Sequence, residues 1–265
     1  MISTTLQNAA FGTDPGRWPL AAARTTDELL LRAVAAGGQG RYSSAQADLT
    51  ELLRREPQGR RASLAMSTRA SFLRQLGWHA HARGWDGRAL AAAGRDPEAG
   101  VDALIGLAAD ALGLGRLAAS AALLTRASAV LDDAEVPPAR LAIRMAWVRA
   151  ELAMAAGHGG EARRHAQRGV ELAEQALPGL RRHRVKSDVV LAAALCSDRD
   201  LEPSRAVADT ALADTETYGL VPLRWALACL LAEIGSPTHS PAALAGIRDR
   251  SATFITRHGG RLSSS

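Results

Sequence analysis

His79 and His81 are the first place in this sequence to look for chemistry. A metal needs converging ligands, and residues two apart on a helix point to different faces. The pair would need further ligands from elsewhere, and the simpler reading is two polar residues at a helix start. No His-Glu-x-x-His, no Cys-x-x-Cys and no Gly-x-Ser-x-Gly nucleophile elbow occurs in the chain. Lys186, the single lysine, lacks the flanking glycines of a phosphate-binding loop, and Gly113-Leu114-Gly115 follows no strand, so a dinucleotide reading fails. Cys196 and Cys229 have no neighbouring base or charge to activate a thiol and read as small core residues. Asp110 is more interesting, because it lies inside the apolar run Leu107-Ala108-Ala109-Asp110-Ala111-Leu112. A buried carboxylate without a partner costs several kcal/mol, so it needs an arginine or water, or else faces a binding groove. The expectation is a protein that catalyses nothing and carries neither a metal nor a cofactor.

The elements that must position such residues are helices. Alanine makes up about a fifth of the chain, well above ordinary usage. Alanine and leucine favour helix, and β-branched residues are sparse. Of the 265 residues 47% are hydrophobic, which excludes a disordered chain and suffices for a sizeable core. Charged residues interrupt every apolar run before the roughly 20 residues of a membrane span. Two cysteines cannot staple a fold of this size, and no basic-then-apolar leader opens the sequence, so a cytoplasmic setting is expected. The net charge of +5 is nearly all arginine. A high-GC bacterial genome gives the same arginine and alanine bias, so an arginine-rich solvated surface is the plainer reading than a nucleic-acid footprint.

Internal repeats organise the chain. Gly40-Arg41-Tyr42-Ser43-Ser44-Ala45 is followed by Leu49, Leu52, Leu53 and Pro57, and the preceding stretch from Asp27 to Ala36 carries the small residue Ala33. Gly115 to Ser120 repeats the turn, with Leu124 and Ala127 after it and Leu104, Leu107, Ala108 and Ala111 before it. Gly77 to Ala82, with Ala89 and Leu90, is a third copy; it departs from the pattern at Asp86, where Trp85 is expected to fill the space. Gly157 to Ala162, with Ala166 and Gly169, is a fourth, and His158-Gly159-Gly160-Glu161 is then a turn and not an oxyanion loop. This pattern resembles the tetratricopeptide repeat (TPR), in a degenerate form. The turn glycines lie 37, 38 and 42 residues apart, against a period of about 34 in that family. Further pairs are expected around Ala206 and over Leu223–Ile234 with Pro241–Arg257.

The resemblance implies an all-α, right-handed solenoid of stacked antiparallel helix pairs over residues 25–258. Residues 1–24 are expected to be an irregular lead onto which Phe11 and Trp18 tack, residues 259–265 a frayed tail, and Pro137-Pro138 and Pro178-Gly179 breaks between pairs. It also implies a concave groove lined by the first helix of each pair. Carried over residue by residue, that groove holds Arg74, Gln75, Asp102, Asp110, Arg144, Trp147, Glu151 and Met154. The function implied is a scaffold or adaptor that binds a protein or peptide segment. The rival reading is a transcription-related regulator contacting nucleic acid or transcription machinery through an arginine-rich surface. That surface would be centred on Arg181, Arg182, His183 and Arg184, with Arg54-Arg55, Arg60-Arg61 and Arg163-Arg164 converging on the same face.

Overall fold

A computed structural model describes residues 3–133 and 138–263. Pro137, half of one expected break, lies outside them, as do Ser264 and Ser265 of the expected tail. The fold is all-α: 77% of the described residues are helical, and no strand occurs among them. The helices there are α1 (Thr4–Phe11), α2 (Thr26–Gly38), α3 (Tyr42–Arg55), α4 (Arg60–Gln75), α5 (His79–Ala93), α6 (Pro97–Gly113), α7 (Leu117–Asp132), α8 (Ala139–Ala155), α9 (Gly159–Gln175), α10 (Arg181–Ser197), α11 (Leu201–Thr217), α12 (Val221–Ile234) and α13 (Pro241–Arg257). They pack neighbour to neighbour along the chain, as in a helical repeat.

Local chemistry sets the ends. Thr25 and Glu28 form a reciprocal capping box at the start of α2. Asp96 and Ser240 cap α6 and α13, each followed by a proline at the first helical position. The turns after α2, α4, α6 and α8 are built alike. Gly40, Gly77, Gly115 and Gly157 sit at φ between 72° and 87°. Behind each glycine a backbone N–H reaches back to close the turn: Arg41 to Ala36, Trp78 to Leu73, Arg116 to Ala111, and His158 to Ala153, all at 2.8–2.9 Å. A fifth turn follows α10 with the same bond, Asp200 N to Leu195 O at 2.9 Å, but there Arg199 occupies the left-handed position at φ 62°. The small residues at the helix crossings, Ala33, Ala45, Ala108 and Ser120, are fully buried.

Two expectations for the chain ends are corrected. The lead is not irregular throughout, because Thr4–Phe11 is a helix capped by Ser3, with Leu6, Ala9 and Ala10 buried against α2. Its continuation is also tied down: the Gln39 side chain donates to the carbonyls of Pro15 and Arg17 at 2.8 and 2.9 Å. The tail does not fray as far as Ser263. Trp78 Nε1 donates to Arg261 O at 2.6 Å, Ser263 N donates to Leu76 O at 2.8 Å, and Leu262 packs on the α2–α4 core.

These contacts close the molecule on itself. Ile255 of α13 and Trp225 of α12 belong to the same apolar cluster as Leu29, Tyr42 and Phe72. Ser43 N donates to His258 O at 2.8 Å, and Leu180 N donates to Phe11 O at 2.8 Å. The last helices thus return to the first. Ending the chain after His258 removes the two long-range hydrogen bonds to Leu76 and Trp78, each worth about 1 kcal/mol net, and the partial burial of one leucine. A loss of about 2–4 kcal/mol in urea denaturation is the expected result; an unchanged midpoint would show that the closing segment contributes nothing.

Candidate functional site

The even-numbered helices all turn one face inward. Val34 and Gly38 (α2), Ser71 and Phe72 (α4), Asp102 (α6), Arg144 and Trp147 (α8), Arg182 and His183 (α10) and Leu223 (α12) line a single cavity of about 200 Å³, with Phe11 of α1 completing the wall. An adjoining chamber of about 350 Å³ shares Phe11, Val34, Thr68, Asp102 and Arg140 with it. The inward face expected to be an open groove is therefore a partly enclosed central space.

Charge dominates this space. Arg140 donates to Asp102 at 3.0 Å and to Glu98 at 2.7 Å, and Arg144 pairs with the other oxygen of Asp102. Lys186 lies 3.6 Å from Glu151. Arg182 has no carboxylate partner among the described residues; its Nη1 donates to Val34 O at 3.3 Å. Four cations line the cavity (Arg140, Arg144, Arg182, Lys186) with one carboxylate, Asp102, while Glu98 and Glu151 partner Arg140 and Lys186 from outside the lining and Glu98 also pairs with Arg60. Burial pushes the Arg144 and Arg182 guanidinium pKa values down to about 10, so both stay protonated at neutral pH. Burial first, and then the field of Arg182, Arg140 and Arg144, holds the His183 pKa well below the usual imidazole value. This ring is neutral at pH 7, and its Nδ1 is buried without a hydrogen-bond partner.

Local packing explains how so large a group as Arg182 fits. A side chain on Gly38 would begin 2.7 Å from the guanidinium, so only glycine lets Arg182 lie against α2. Trp147 is fixed by donating Nε1 to Ser187 Oγ at 2.8 Å, and Ser187 in turn donates to Gly169 O. Its ring stacks on His183 at 5.5 Å between centroids and an interplanar angle of 23°. Phe11 stands on His183 at 6.1 Å.

The expected site residues divide into several groups. Asp102, Arg144, Trp147 and Gln75 line the cavity, and Glu151 supports it through Lys186. Gln75 accepts a hydrogen bond from Tyr42 Oη at 3.1 Å. Arg74 and Asp110 do not line the cavity. The Arg74 guanidinium is enclosed between the fully buried Asp86 and Asp110, 2.9 Å from the latter, and it also donates to Gly106 O. Asp86 itself occupies the interior position that Trp85 was expected to fill, with Ser67 Oγ donating to it at 2.8 Å. Gly106 makes room for that carboxylate, which lies within 2.6 Å of where a Cβ would stand. Trp85 sits further out, with Arg69 and Arg88 over its ring. Met154 packs in the α8–α10 core and does not line the cavity.

The run Arg181 to Arg184 does not form one outward face. Arg181 lies over the Tyr218 ring, Arg182 and His183 turn into the cavity, and Arg184 pairs with Glu174 and Asp188. The arginine doublets are paired locally as well: Arg54 and Arg55 share Glu51, Arg60 pairs with Asp96 and with the Glu98 it shares with Arg140, Arg61 with Asp27 and Glu56, Arg163 with Asp200, and Arg164 with Glu161. Among the described residues no three His, Cys, Asp or Glu side chains stand close enough to hold a metal. No helix there is long and apolar enough to cross a membrane. Neither a protein-family model nor a curated protein sequence matches this chain. Its reading therefore rests on its own geometry.

Sequence reasoning missed Arg140 and Lys186. The signal was present as spacing. Arg140 lies one turn before Arg144 in the register Arg140, Arg144, Trp147, Glu151, and Lys186 lies one turn after Arg182.

Proposed function

We propose that this protein is a non-catalytic binding scaffold, a degenerate TPR-like right-handed solenoid of antiparallel helix pairs, whose inward face takes an acidic ligand or an acidic element of a protein partner. The observation that carries this reading is Arg182, a half-buried guanidinium without a carboxylate among the described residues, in a cavity already rich in cations. Leaving such a charge unmatched is costly, and an incoming anion relieves the cost. Arg144 and Trp147 supply a further cation and an aromatic wall, the residue types that dominate binding hot spots. Because the chain closes on itself, a partner reaches this face with a side chain or a small group and not as a long segment laid across it. The internal matching of the arginine doublets weighs against the nucleic-acid alternative.

The test compares acidic octapeptides with their Asn/Gln counterparts by fluorescence anisotropy, against the wild type and an Arg144→Ala/Trp147→Ala variant. Saturable binding of the acidic set alone, lost in the variant, is expected. Binding equal in both proteins and abolished by high salt would place recognition on the outer arginines and overturn the proposal.

A further inference from the structure

Resting on that reading of the inward face, we infer that the cavity is a receptor site for a small organic monocarboxylate carried on a flat apolar body, bound as a free molecule. Three features of the cavity define this ligand. The first is charge. Arg140, Arg144 and Lys186 each have a carboxylate partner, and Arg182 has none among the described residues. One carboxylate gives Arg182 the kind of partner that the other three cations already have. A carboxylate also suits the planar fork of a guanidinium, which binds it through two parallel hydrogen bonds.

The second feature is shape. About 200 Å³ is below the roughly 300–1,000 Å³ of pockets that hold drug-sized ligands. One ring with a short acidic arm is the appropriate scale. The third is the apolar part of the lining, formed by Phe11, Val34, Phe72, Trp147, Pro222 and Leu223. Trp147 is held in place by Ser187, and the neutral His183 ring stacked on it extends the flat surface. The unpaired His183 Nδ1, on a side chain 4% exposed, is a polar atom within this wall still lacking a partner.

Arg182 gives the inference a signature that a merely structural arginine lacks. Its protein partner is one backbone carbonyl at 3.3 Å. Replacing it removes a desolvated, unmatched charge, so an unliganded Arg182→Met protein should melt at or above the wild-type temperature while losing the ligand.

The experiment titrates the full chain by isothermal calorimetry with phenylacetate, indole-3-acetate, acetate, phenylacetamide and inorganic phosphate, and repeats it with Arg182→Met and Arg182→Lys. The expected result is saturable binding of the two aromatic acids. Acetate, phosphate and the neutral amide should bind at least tenfold more weakly. Arg182→Met should lose at least tenfold in affinity without a lower melting temperature, and Arg182→Lys should fall between. Phenylacetamide binding as well as phenylacetate, Arg182→Met binding as well as wild type, or Arg182→Met melting several degrees lower would each overturn the inference. If acidic octapeptides bind in an Arg144-dependent way and no aromatic acid does, the inference falls and the scaffold reading stands. If neither class binds, both fall.

Discussion

Arg74→Met should destabilise the protein by about 3–5 kcal/mol, the range for removing one partner of a buried charge cluster. Asp86 and Asp110 are both fully buried, and Arg74 is the cation between them. Without it, two carboxylates face each other with Ser67 as the remaining side-chain donor to Asp86. The size of the loss depends on pH in a defined direction. Burial raises both carboxyl groups above their ordinary value of 3.8, Asp86 to about 6, against the opposing pull of Arg74. The folded chain thus holds protons on this pair more tightly than the unfolded chain does. The stability this contributes is present below pH 3.8 and is lost as the pH rises toward 6. In the variant the raising force is no longer opposed, so the loss is greatest near pH 8 and shrinks toward pH 5. Urea denaturation of wild type and variant across that interval measures it. A loss that is small, or independent of pH, would mean that the cluster is hydrated and not buried.

Phe72→Ala should cost a similar amount, about 3–5 kcal/mol, through lost burial and the cavity left behind. Phe72 is 2% exposed and meets Tyr42 edge to face at 5.5 Å between ring centroids. Its ring also occupies the space where a side chain on Gly37 would begin, with Cε1 2.1 Å from that position. Because Phe72 also lines the inner cavity, the truncation enlarges that space. Calorimetry on the variant should show larger aromatic acids gaining affinity relative to phenylacetate, alongside the lower urea midpoint. A destabilised variant with unchanged ligand preference would remove Phe72 from the wall.

The turns were the most legible part of this fold. A glycine at positive φ is a local requirement, and Gly40, Gly77, Gly115 and Gly157 announce it in sequence. The pattern faded after residue 180 for an equally local reason: Arg199 adopts the same backbone conformation in the fifth turn without being glycine. Helix α1 was hidden because its neighbours Pro15, Pro19, Gly12 and Gly16 mark a loop, and its stability comes from burying Leu6, Ala9 and Ala10 against α2. The site was half legible. Arg144, Trp147 and Asp102 follow from the groove positions that the repeat resemblance implies. The roles of Arg74 and Asp110 did not, since nothing in either helix states that Asp86 also reaches them from α5. The closing contacts were not legible at all, because Ser43 and His258, or Trp78 and Arg261, meet only through the summed curvature of the helices between them.

That meeting of distant residues has a consequence for how the protein is made. An open array of helix pairs can fold as it leaves the ribosome, each pair settling on the one before it. Here Tyr42, Phe72 and Leu76 share a cluster with Ile255, and the Trp78 indole waits for a carbonyl 183 residues further along. The first pairs therefore remain unfinished, with apolar surface uncovered, until the last helix has been synthesised. Completion is a late, long-range event, and by the entropy of closing so large a loop it should be the slow step of folding.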